Sequence, residues 1–137
     1  MGKYRTLSEK NKYYLPKHTY LTCIHYARQY RDWKASLDAN RDTRGAIRYD
    51  KDKIQASNDY DSTSETAIRM IEIEDKCAMI DKCIRIACDG HDLDKYVRLG
   101  VCYGFTMYQL LDEGMPCGKK MYYNIRKKFY YELSKKI

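Results

Sequence analysis

The sequence predicts an all-α fold, a small bundle of about five helices, from two kinds of signal. Apolar residues recur at intervals of three and four positions, and helix-starting groups precede those runs while Gly or Pro follows them. The chain has 137 residues, 44% hydrophobic and 33% charged. That is enough for one modest core but not for two, so residues 1–137 are read as a single helical domain.

Residues 1–15 are polar and Tyr-rich. Leu15-Pro16-Lys17-His18 then reads as a helix entry, since Pro in a first turn sacrifices no hydrogen bond. The helix that follows carries Tyr20, Ile24, Ala27 and Trp33, with Leu21 and Tyr30 alongside, on one side, and Arg28, Arg31 and Lys34 largely elsewhere. From Asp38 to Asp61 the apolar pattern disappears among Asn, Asp and Gly, which predicts a long mobile loop over 38–61 and the most protease-sensitive stretch of the chain. Asp59-Tyr60-Asp61 does not begin a calcium loop, because Ser64 stands where the turn needs Gly and Met70 where it needs Glu. Ser62-x-x-Glu65 is a capping box and predicts a second helix running to about Cys88. Ala67, Met70, Ile73 or Cys77, Ile80 and Ile84 form its inner face, and Asp89-Gly90 ends it.

Residues 92–137 read as a helical triplet. Asp92 or Asp94 caps a short helix with Tyr96, Val97 and Leu99, closed by Gly100 or Gly104. Thr106 caps a second short helix carrying Leu110 and Leu111, and Gly114-Met115-Pro116 forces a turn. A final helix from about Cys117 places Met121, Ile125, Phe129 and Leu133 at four-residue steps, with Tyr122 filling the stripe.

Composition narrows the function. The net charge of +7 points to phosphate-rich partners. The charge clusters at the C-terminus, in Lys119, Lys120, Arg126, Lys127, Lys128, Lys135 and Lys136, opposed there only by Glu132. The chain holds 15 Tyr against 2 Phe and 1 Trp, rings that suit a binding surface as well as a core. Its six Cys follow no zinc-binding spacing and no secretory signal, so free thiols in a bacterial cytosol are expected, with no metal and no cofactor. No apolar run is long enough to span a bilayer.

A capped short helix, a tight Gly turn and a basic helix form the sequence pattern of a helix-turn-helix. Thr106–Asp112 is the expected supporting helix, Glu113–Pro116 the turn, and Gly118–Lys136 the reading helix. Within it, Lys119, Lys120 and Asn124, with Tyr122 and Tyr123, are the candidates for base edges, and Arg126, Lys127 and Lys128 those for duplex DNA phosphates.

A resemblance points the same way. Tyr14-Leu15-Pro16-Lys17-His18-x-Tyr20-Leu21, Trp33, and the C-terminal Gly104-x-Thr106, Pro116-Cys117, Tyr122-Tyr123, Lys128-Phe129-Tyr130 and Leu133 look like small prophage proteins of gut Firmicutes. These in turn resemble the RinA and ArpU group of phage late-transcription regulators, whose C-terminal part is similar to the promoter-reading fourth region of sigma factors. The first likeness covers nearly the whole chain and the second roughly the last 45 residues, where this chain differs by its Leu110-Leu111 pair and shorter turn. It implies DNA binding and contact with host RNA polymerase.

Catalysis finds no counterpart motif. His18, His25 and His91 lack carboxylates at triad-like spacing, and Cys117, at a helix start where amide dipoles favour a thiolate, has no recognisable general base. The protein is therefore read as a non-enzyme. An alternative of another class is a small phage counter-defence protein, of anti-CRISPR type, that binds a host defence protein or nucleoprotein.

Overall fold

The computed structural model describes residue 7 and residues 9–50 and 59–137, with side chains for all of these except 41–50 and 59–63. It is all-helical: α1 (Lys17–Asp50), α2 (Asp59–Cys88), α3 (Asp94–Tyr103), α4 (Met107–Asp112) and α5 (Lys119–Ser134), with no strand among the described residues.

Pro16 precedes α1, and its carbonyl accepts the Tyr20 N–H at 2.9 Å, so the entry forms where a ring without an N–H belongs. The buried stripe of α1 is Cys23, Ile24, Ala27, Tyr30 and Leu37, with Tyr20 and Trp33 half-buried at its edges. Helix α2 buries Ile73, Cys77, Ile80, Cys83, Ile84, Ala87 and Cys88. Both stripes keep three- and four-residue steps, which is why these two helices lie against each other and against α5.

The loop expected over 38–61 is corrected on both sides. Helix α1 continues through Asp50 and α2 begins at Asp59, ahead of the Ser62-x-x-Glu65 start; residues 51–58 lie outside the described residues. Asn and Asp are weak helix formers rather than breakers, there is no Pro between 38 and 61, and Gly45 costs a helix only about 1 kcal/mol. A helix already nucleated upstream extends through such residues one hydrogen bond at a time.

The short helices follow their local signals more closely. Leu93, not Asp92 or Asp94, is the N-cap of α3 and makes no side-chain cap bond; Asp94 sits in the first turn instead. Gly104 ends α3 at φ +76°, a left-handed conformation that a Cβ would strain, with its N–H on the Leu99 carbonyl. Thr106 caps α4 through a complete capping box, Gln109 N–H to Thr106 Oγ1 at 3.2 Å and Thr106 N–H to Gln109 Oε1 at 2.8 Å. Gly114 N–H to Leu111 O and Met115 N–H to Leu110 O then close α4 in a Schellman motif that buries Met115.

A half-buried polar node ties α1, α2 and α3 together. The Tyr30 hydroxyl donates to Asp81 Oδ1 at 3.1 Å, and Arg98 Nε donates to the same oxygen at 2.9 Å. Burial and the Asp81 charge both hold the Tyr30 phenol well above its usual range, so it stays protonated and keeps donating.

Candidate nucleic-acid interface

Helix α5 is a core element with one open side. Tyr122, Ile125, Phe129, Tyr130 and Leu133 are buried, and α5 packs chiefly on α2 and α1. Helix α4 packs chiefly on α3, so the expected support of α5 by α4 is corrected: the two long helices hold the basic helix. The reason is volume. Leu110 is fully buried toward α3, where it and Tyr122 converge on Gly100, while Leu111 stays exposed.

Gly100 is the closest approach in this region. A Cβ there would overlap the Tyr122 hydroxyl and lie 3.4 Å from Leu110 Cδ1. Only Gly lets the backbone of α3 reach the ring. Tyr122, expected among the DNA contacts, is therefore a packing residue, 3% exposed. Burial pushes its phenol up to about 12, with Arg126 pulling the other way.

The remaining expected contacts divide between two flanks of α5. Lys120, Asn124 and Lys128 line an open groove of about 530 Å³ with Gly118, the N-cap of α5, and with His91 and Asp89 at the end of α2. Tyr123, Arg126 and Lys127 line a more enclosed cavity of about 480 Å³ on the other flank. Tyr13 lines both, and its ring meets Tyr131 edge-on at 5.5 Å, so the segment before α1 crosses α5 between them. Sequence reasoning had no signal for this crossing, because residues 1–15 carry no helical period.

Electrostatically the flanks differ too. The Arg126 guanidinium stacks over the Tyr123 ring at 4.5 Å, and Lys119 approaches the same ring at 5.8 Å. Among the described residues, none of Lys119, Lys120, Arg126, Lys127 and Lys128 is in an ion pair, whereas Lys135 pairs with Glu132 at 3.6 Å. The unpaired cations have no carboxylate within ion-pair distance among the described residues, although Asp89 lines the same groove as Lys120 and Lys128, so the field over the first three turns of α5 stays positive on balance.

The thiols are packing groups. All six are free; five are buried and Cys117 half-buried. Burial raises every one, to about 11 for Cys23 and about 12 for Cys88 and Cys102. Cys117 is also raised by desolvation, which overturns the lowering expected at a helix start. His18, His25 and His91 are exposed. Among the described residues no three ligating side chains gather for a metal ion, and no helix is long and apolar enough to cross a membrane. No protein-family model, curated protein or solved structure matches the chain.

Proposed function

We propose that the chain binds duplex DNA through the open flank of α5 and acts as a phage transcription regulator. The observation that supports this reading is the run of unpaired cations on one helix, with Lys120, Asn124 and Lys128 sharing a groove open enough to meet a phosphate backbone. Lys120 and Lys128 contact phosphates, which fix register, and Asn124 contacts an adenine edge. Lys119, stacked near Tyr123, adds charge at the helix start. The test is an anisotropy titration of a labelled duplex at several salt concentrations. Affinity falls as salt rises, and the double variant Lys120→Ala, Lys128→Ala flattens the salt slope by roughly one unit per lost phosphate contact. Absence of duplex binding at low salt refutes the reading.

A second reading, inhibition of a host defence protein or nucleoprotein, draws on a different surface. Tyr108 is 81% exposed on α4 beside exposed Leu111, an aromatic-aliphatic pair of the kind that anchors protein interfaces. A pull-down in which Tyr108→Ala abolishes capture of a defence protein, while duplex binding is absent, decides for it.

A further inference from the structure

The enclosed cavity beside α5 has features that neither duplex reading nor core packing uses. Its walls are Tyr13, Tyr20, Tyr123 and Tyr130, its apolar base includes Leu7 and Leu15, and among the described residues its charged lining groups are Arg126 and Lys127. Among the described residues no carboxylate lines it. At about 480 Å³ it falls within the range of small-ligand sites. Tyr130 is only 6% exposed, with Tyr20 edge-on at 5.5 Å. Tyr130 lines this cavity, and no described residue hydrogen-bonds its hydroxyl. Aromatic walls, an apolar base and two cations with no acid among the described lining residues suit a flat ring attached to an anion.

We infer that this cavity binds a single nucleotide: the base lies among the tyrosine rings and accepts a hydrogen bond from Tyr130, and the phosphate meets Arg126 and Lys127. The site does not need the duplex reading to hold, since a paired base cannot enter it. The nucleotide's source is either a free mononucleotide or the unpaired end of a strand, and both present the same ring and phosphate.

Calorimetric titration of the full chain with adenosine and cytidine 5′-monophosphates tests the site. Saturable binding of at least one is expected, weaker by roughly fivefold to tenfold in Tyr130→Phe, which removes one hydroxyl, and by about tenfold or more in Arg126→Gln. The wild type supplies a readout independent of any variant: the corresponding nucleosides bind more weakly than the monophosphates, and inorganic phosphate does not displace them. A single-stranded hexanucleotide that displaces the mononucleotide identifies the strand end as the source, and one that does not identifies the free nucleotide. Failure of both monophosphates to bind at millimolar concentration, full competition by inorganic phosphate, or unchanged affinity in a stably folded Tyr130→Phe overturns the proposal. Duplex titrations on the same samples separate the two readings, because Tyr130→Phe leaves duplex affinity unchanged while Lys120→Ala with Lys128→Ala leaves nucleotide affinity unchanged.

Discussion

On one side of α5 the Tyr122 hydroxyl presses on the backbone of α3 at Gly100, with Phe129 and Leu133 fully buried behind it. On the other side, within the same two turns, Lys120 and Asn124 stand in open solvent. One helix thus serves as the centre of the core and as a charged surface. The inner side tolerates almost no change of volume, because close-packed groups have nowhere to move. The outer side is free to vary without cost to the fold, and its charges answer only to what binds there.

Alkali should exploit this difference most strongly, since it attacks many inner groups at once. The pKa values of Cys23, Cys88, Cys102 and Tyr122 are raised in the folded chain, to about 11, 12, 12 and 12. Unfolded thiols ionise near about 8.5 and phenols near about 10. Groups whose folded values are raised lend stability that is whole below their unfolded values and is lost as pH climbs toward the folded ones. The thermal unfolding midpoint should therefore drop steeply from pH about 8.5 to 12; a level midpoint over that interval contradicts the buried placement of these groups. Next in size, Phe129→Ala should cost about 3–5 kcal/mol in urea unfolding by opening a cavity at the centre of α5. Gly100→Ala should cost about 1–3 kcal/mol by driving Tyr122 off its position. The double variant Gly100→Ala, Tyr122→Phe should recover part of that loss, and a result in which the two losses simply add would mean that the hydroxyl is not the obstacle. Thr106→Ala removes the α4 cap and should cost about 1 kcal/mol. Least of all, Lys120→Ala with Lys128→Ala should leave stability within about 0.5 kcal/mol.

Where the chain carries strong punctuation, the sequence was easily read. Pro16, Gly104, the Thr106 capping box and Gly114 each act through a local hydrogen bond or dihedral that the next few residues complete. The inner stripe of α5 followed from four-residue steps for the same reason, although Tyr130, outside those steps, is also buried, with the Tyr20 ring of α1 edge-on to it. The loop over 38–61 failed because absence of an apolar stripe was taken for absence of a helix, whereas backbone hydrogen bonding needs only the lack of a breaker. The basic patch was legible as charge but not as two flanks. That division depends on Tyr13 meeting Tyr131, a contact between the two ends of the described chain that no local pattern encodes. Tyr122 was read both as a filler of the inner stripe and as a DNA contact; the first holds, and the second failed because nothing adjacent to it announces Gly100 as its neighbour.

The Tyr30–Asp81–Arg98 node makes α2 and α3 depend on α1 for more than apolar contact. Its donors come from α1 and α3 and its acceptor from α2, the partners standing 51 and 17 positions apart in the chain. A fragment that begins at α2 would keep the ion pair but lose the phenol and the apolar wall of α1 around it, exposing Ile80, Ile84 and Val97 near a charge pair that burial no longer strengthens. Removing α1 should therefore weaken the packing of α2 and α3 as well as the node itself.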